Sequence, residues 1–149
     1  MKAWHVQEDY YGPYGYIDKN GNYAVPRRFI VAYDFSEGVA WVAESDPKTR
    51  EVIELGWIDK SGNWVLPLKK QGLDASSGKK FSEGLAAVSF PINSKGEYRW
   101  AYMDHKGNEV INRAFAEAHE FIGGIARVRI YSGTDSYIDT TGRIIWQPH

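Results

Sequence analysis

Gly56-Trp57-Ile58-Asp59-Lys60-Ser61-Gly62 decides the fold, because the chain writes this phrase four times. The other copies are Gly15-Tyr16-Ile17-Asp18-x-x-Gly21, Ala101-Tyr102-Met103-Asp104-x-x-Gly107 and Ser136-Tyr137-Ile138-Asp139-x-x-Gly142. A second phrase alternates with the first: Phe35-Ser36-Glu37-Gly38-Val39-Ala40, Phe81-Ser82-Glu83-Gly84-Leu85-Ala86 and Phe121-Ile122-Gly123-Gly124-Ile125-Ala126. From the motif Asp to the next Phe is 17 positions in the first and third intervals and 22 in the second, so the second linker carries five extra residues. Self-similarity at this spacing predicts stacked supersecondary units, and it speaks to architecture more than to chemistry.

Each motif is short, aromatic and β-branched, then breaks into Asp-x-x-Gly. That puts Asp at the first position of a type I turn and Gly where the backbone turns left-handed, which reads as a β-hairpin. Strand-like residues follow each turn: Tyr23-Ala24-Val25, Trp64-Val65-Leu66, Glu109-Val110-Ile111 and Ile144-Ile145-Trp146. Pro26, Pro67 and Pro148 are expected to end three of them, since proline donates nothing to a ladder. A strand also precedes each hairpin, at Val39–Ala43, Leu85–Phe90 and Ile125–Ile130, with Trp4-His5-Val6 serving the first. The chain therefore reads as four three-stranded units, roughly 3–26, 39–67, 85–112 and 125–148, in one domain spanning 1–149. The expected fold class is all-β, an antiparallel array that is either repeat- or solenoid-like or barrel-like. In the linkers, Phe29-x-x-Ala32-Tyr33-x-Phe35 and Phe115-x-x-Ala118-His119-x-Phe121 have the i, i+3, i+6 spacing of a short helical turn or of a tight loop laid on the sheet. Ala40, Ala86 and Ala126 hold one strand position, where a small side chain lets another layer approach.

The Gly-Trp/Tyr-Ile-Asp-x-x-Gly cores with intervening Phe-Ser-Glu-Gly-Leu-Ala resemble the bacterial WG-repeat family over nearly the whole chain, from about Gly15 to Trp146. Only Trp57 carries the tryptophan of the Gly-Trp pair; Tyr16, Tyr102 and Tyr137 replace it. The resemblance implies a β-rich repeat fold, without a common activity or catalytic residue set.

Composition narrows the function classes. With 18 Lys+Arg against 19 Asp+Glu the net charge is −1, so no overall field exists to hold nucleic acid or an anionic membrane. The chain has no cysteine, which removes disulfides and thiolate metal sites. Its opening, Met1-Lys2-Ala3-Trp4-His5-Val6, lacks the apolar run of a signal peptide, and no segment has the roughly 20 apolar residues of a membrane span. A cytoplasmic protein is expected.

The four motif aspartates could be carboxylates for acid–base work or calcium, but each can accept N–H bonds within its own turn. Glu37 and Glu83 are replaced by Gly123 in the third copy, which suits a turn better than catalysis. His5, His105, His119 and His149 show no metal-ligand spacing. No catalytic residue, metal or cofactor is expected, and the protein reads as a non-enzyme.

The aromatic excess remains, at 15% of residues. Recurrent aromatics are expected to be structural, leaving the non-recurrent ones free for a partner. The candidates are Tyr10, Tyr11 and Tyr14 around Gly12-Pro13, with Trp41 facing away from Ala40 and Val42, and Trp64. The second linker adds Lys69, Lys70, Lys79 and Lys80, either a solvated loop or a contact for an acidic partner. These residues lead to a protein-interaction module, in its concrete form a bacterial immunity-type inhibitor of a toxin. The alternative is a carbohydrate-binding domain that stacks sugars on surface Trp and Tyr.

Overall fold

The computed structural model describes residues 4–8 and 12–148. It contains twelve strands: β1 (Trp4–Gln7), β2 (Tyr14–Ile17), β3 (Tyr23–Ala32), β4 (Val39–Ser45), β5 (Val52–Asp59), β6 (Trp64–Pro67), β7 (Ala86–Pro91), β8 (Tyr98–Met103), β9 (Glu109–Ala118), β10 (Ile125–Ile130), β11 (Asp135–Asp139) and β12 (Ile144–Trp146). They fall in two compact units, Met1–Ser76 and Ser77–His149. Each unit holds one six-stranded antiparallel sheet in which every strand pairs with its neighbours in sequence, β1 to β6 in the first and β7 to β12 in the second. Neither sheet closes into a barrel.

The Asp-x-x-Gly turns form as the sequence predicts. In every copy the Asp Oδ1 accepts two backbone N–H bonds, at 2.8 and 3.1 Å for Asp18, 2.9 and 3.0 Å for Asp59, 2.9 and 2.9 Å for Asp104, and 2.9 and 3.1 Å for Asp139. The glycine N–H closes onto the Asp carbonyl, as in Gly21 to Asp18 at 3.0 Å, and the glycines sit at φ between 83° and 89°. The Asn108 amide and the Thr141 hydroxyl, respectively the leading partners of Asp104 and Asp139, help hold those carboxyls below the ordinary carboxylate range. The Phe-x-x-Gly phrases are tight hairpins of a second kind. Ser36 and Val39, Ser82 and Leu85, and Ile122 and Ile125 exchange bonds across two residues that both have positive φ, the signature of a type I′ turn.

The helical turns expected in the first and third linkers do not form. β3 runs through Pro26 to Ala32 and β9 runs to Ala118, each pairing with the first strand of the next repeat. Phe29 and Ala32 share a buried face because Ile30 is an extra residue: Phe29 opposes Glu44 and Val31 opposes Ala43. Ala116 bulges in the same way between Phe115 and Glu117. An extra residue in a strand turns its period of two into a local period of three, and that mimics a helix. Pro26 likewise does not end its strand. It lies in a wider bulge, where three residues of β3 stand against Gly15 alone, and the missing ladder bond costs nothing there. Pro67 does close β6. The only helical element among the described residues is a 3-10 turn at Lys69–Gln71 in the second linker.

Each sheet builds a core around a motif tyrosine. In the first, Tyr16, Val25, Phe29, Ala40, Val42 and Ile58 cluster with half-buried Phe35 and Trp64. In the second, Tyr102, Ile111, Phe115, Phe121, Ala126 and Ile138 form the matching cluster. The rings meet edge-on or tilted, Tyr16 to Phe35 at 4.8 Å and Tyr102 to Phe121 at 4.9 Å. Both tyrosine hydroxyls donate to a linker carbonyl at 2.6 Å, Tyr16 to Tyr33 and Tyr102 to His119. Fully burying such side chains contributes roughly 1.5–3 kcal/mol each, and the hydroxyl bond removes the cost of hiding a polar tip. Of the recurrent alanines, Ala40 and Ala126 lie in these clusters with Phe35 and Phe121, in line with their small size, while Ala86 is buried outside both.

Candidate functional site

A cavity of about 670 Å³ opens on the second unit between Lys79 and Lys80, His119 and Glu120, Ile122, Ile125, Arg127 and Tyr137. Local chain geometry brings these groups together. Ser77 and Lys79 pair with the edge of β7, through Ser89 N–H to Ser77 O at 2.9 Å and Lys79 N–H to Ala87 O at 3.1 Å. His119 leaves β9 by donating its N–H to Arg127 O at 3.0 Å, while Ile122 and Ile125 flank the type I′ turn. Two ties from the preceding turn hold that turn in place: Ser82 Oγ donates to Phe121 O at 2.7 Å and Gly124 N–H donates to Glu83 Oε1 at 2.9 Å. Arg127 and Tyr137 are direct cross-strand partners on β10 and β11.

The lining combines basic and apolar side chains. Lys79 Nζ donates to Ala118 O at 2.8 Å and lies 4.6 Å from the Trp100 ring centroid. Partial burial lowers its pKa, against the raising influence of Glu117 and Glu120. Lys80 pairs with Glu120 at 3.2 Å. Desolvation, with Lys79 and Arg127 close by, pushes His119 below the usual histidine range despite Glu117 at 3.7 Å. Arg127 reaches Asp135 only at 3.7 Å. Of the apolar lining, Ile122 and Ile125 are exposed, and Tyr137 is 38% exposed where Tyr16, Trp57 and Tyr102 are at 0%. The Tyr137 ring leans edge-on against exposed Trp146 at 5.8 Å.

A second cavity, of about 470 Å³, lies on the first unit beside Pro13, Arg28, Asp46 and Ile53. Four of its five charged side chains are engaged, all but Arg50: Arg27 pairs with Glu8 at 3.3 Å, Arg28 with Glu44 at 3.5 Å, and Asp46 accepts the N–H groups of Lys48 and Thr49. Among the described residues no three His, Asp or Glu side chains converge as a metal site, and no helix is long and apolar enough to cross a membrane.

The expected partner residues scatter. Tyr10 and Tyr11, and the side chain of Lys70, lie outside the described residues. Tyr14 is half-buried in β2, edge-on to His5 at 5.7 Å. Trp41 does alternate with Ala40 and Val42, yet it is fully buried, packed on its cross-strand partner Trp57 at 4.9 Å and donating its indole N–H to Ala75 O at 2.8 Å. It serves the core and offers no surface. Trp64 is half-buried, edge-on to Phe29. Lys69 is exposed, and its backbone N–H donates to Glu54. The insert is no freely solvated loop at this end, since Leu68 and Leu73 are buried and Leu68 N–H donates to Leu55 O at 2.8 Å. Lys79 and Lys80 do reach the cavity. Sequence reasoning missed Ile122, Ile125 and Arg127, and it assigned Tyr137 to the core. No local signal marks Tyr137, because what covers the motif tyrosine in copies one and three is a phrase 17 positions beyond the motif aspartate.

A family model described as WG containing repeat matches residues 14–46, 56–69 and 100–132, together more than half of the chain. The matches take in the first three motifs and leave out the fourth. No curated protein is significantly similar to the chain.

Proposed function

The chain belongs to the WG containing repeat family, and from that premise we propose that it is a non-enzymatic protein-interaction module of the cytoplasm whose contact surface is the groove at Arg127 and Tyr137. The observation that carries the reading is a cavity lining that joins the exposed apolar side chains of Ile122, Ile125 and Tyr137 with Lys79, Lys80 and Arg127. Apolar area flanked by charges of one sign suits a protein partner of opposite charge, with the aromatic group as anchor. The rigid strands beneath it lower the entropy lost on binding. A non-enzymatic role is favoured because, among the described residues of the groove, no nucleophile stands beside a base.

The finer form of this reading is an immunity-type inhibitor that caps a toxin, with the basic side chains of the groove placed over acidic residues of the toxin. Affinity capture from the host, followed by reconstitution of the captured protein with the purified chain, tests the module. A directly binding acidic protein that is lost on Lys80→Glu/Arg127→Glu supports the groove. Capture of nothing that binds directly, or equal binding by the charge-reversed variant, overturns it. The inhibitor form further requires that co-expression of the chain protect cells from the captured protein.

A further inference from the structure

The chain itself shows what covers a motif tyrosine. On Tyr16 the cover is Tyr33-Asp34-Phe35: the Phe35 ring packs on Tyr16 at 4.8 Å, Tyr33 O accepts from the Tyr16 hydroxyl at 2.6 Å, and Asp34 Oδ1 lies 3.0 Å from His5 Nδ1. His5 is the cross-strand partner of Tyr16. On Tyr102 the cover is His119-Glu120-Phe121, with the ring at 4.9 Å, the carbonyl at 2.6 Å and Glu120 paired to Lys80 at 3.2 Å. Both covers have one form, in which an acidic residue immediately precedes the phenylalanine and the carbonyl two residues before it accepts the tyrosine proton.

At Tyr137 the receiving half of this arrangement recurs, and among the described residues no such cover lies on it. Tyr137 pairs with Trp146 in the register in which Tyr16 pairs with Val25 and Tyr102 with Ile111. Its cross-strand partner is Arg127, a permanent cation where Tyr16 has His5. Among the described residues no phenylalanine packs on Tyr137 and no group accepts its hydroxyl proton, and the cavity opens directly beside it. The lining carries Lys79, Lys80 and Arg127 against Glu120 alone.

We infer that this groove is a receptor slot for an extended segment of a partner protein in which Asp or Glu immediately precedes Phe. The Phe ring lies on Tyr137 beside Ile125, the carboxylate pairs with Arg127, and the carbonyl two residues before the Phe accepts from Tyr137 Oη. Arg127 is better fitted than His5 to that pairing, since its charge does not titrate and its donors can chelate a carboxylate. The inference rests on the interaction reading above and names the chemistry of its partner.

The probe is a fluorescein-labelled peptide reproducing residues 27–38, titrated against the full chain by anisotropy, with the contact mapped by NMR. Saturable binding is expected, with shifts centred on Ile125, Arg127 and Tyr137. Phe35→Ala in the peptide, or Tyr137→Ala in the chain, should each weaken binding tenfold or more. Tyr137 is exposed, so its variant should keep the wild-type melting curve. A charge swap serves as a second, independent arm: Arg127→Glu should lose the peptide and regain it when the peptide carries Asp34→Lys. No saturable binding, binding indifferent to Tyr137→Ala, shifts confined to another surface, or no recovery in the swap would overturn the inference. If a captured acidic protein needs the groove while acid-Phe peptides do not bind, the slot chemistry fails and the interaction module stands. If captured protein and peptides alike ignore charge reversal of the groove, both fall.

Discussion

Replacing Gly56 by alanine should cost about 4 kcal/mol, and the matched change Gly21→Ala far less. Both glycines have positive φ, +139° at Gly56 and +83° at Gly21, so both variants carry left-handed backbone strain of about 1–2 kcal/mol. The surroundings differ. A Cβ on Gly21 meets nothing within 4 Å, whereas one on Gly56 would stand 1.9 Å from Leu66 O and 3.0 Å from Leu66 C. Ordinary contact needs about 3.4 Å, so β5 and β6 must part by about 1.5 Å at this point. That motion pulls on the Leu68 N–H to Leu55 O bond of 2.8 Å, worth about 1 kcal/mol, and on buried Leu68, whose partial exposure adds about 1–2 kcal/mol. Urea unfolding followed by tryptophan fluorescence is the assay, because the buried pair Trp41 and Trp57 reports on this part of the sheet. A Gly56→Ala midpoint equal to that of Gly21→Ala would refute the steric reasoning and leave only the φ penalty.

Ser136 occupies the motif position held by Gly56 and Ala101, and its wholly buried hydroxyl has no hydrogen-bond partner. Ser136→Ala should therefore stabilise the protein by about 1 kcal/mol, read as a rise in melting temperature of about 2–4 °C; a fall would contradict the assignment. Tyr102→Phe should destabilise by about 1 kcal/mol through the orphaned His119 carbonyl, while Tyr137→Phe should leave the melting temperature unchanged. Asp104 and Asp139 have depressed folded-state pKa values, so their turn bonds contribute stability that is fully present above the unfolded carboxylate value of about 3.9 and is lost as pH falls through the folded values. The stability gap between wild type and Asp104→Ala/Asp139→Ala should thus be flat from pH 7 to pH 5 and shrink below pH 4 in urea titrations; a gap constant down to pH 2 would sink that account.

The sequence made the hairpins legible because their turns are written in local chemistry. Asp18, Asp59, Asp104 and Asp139 each need only the next four residues to form their bonds. The linkers were harder, since the bulges at Ile30 and Ala116 depend on the partner strands Glu44–Val42 and Ile130–Val128 and leave a helix-like spacing in the text. Alternation correctly set Trp41 opposite Ala40 and Val42, but it tells which side a residue faces and not whether that side is covered. The Ala75 carbonyl that accepts the Trp41 indole proton comes from a lysine-bearing insert that reads as solvent-facing, and buried Leu68 and Leu73 anchor it. Tyr137 failed for the complementary reason. Its recurrence signals a place in the repeat, while the burial of a motif tyrosine in copies one and three depends on a phrase 17 positions beyond the motif aspartate.

The ordering of each sheet, in which β-strands are hydrogen-bonded side by side with their predecessors and successors in the chain, has a kinetic consequence. Long-range strand pairing is what slows most β proteins, because distant ends must find each other before any contact rewards them. Here each new strand needs only the one made just before it. The protein should emerge from the ribosome already zipping, with every completed hairpin acting as the nucleus for the next.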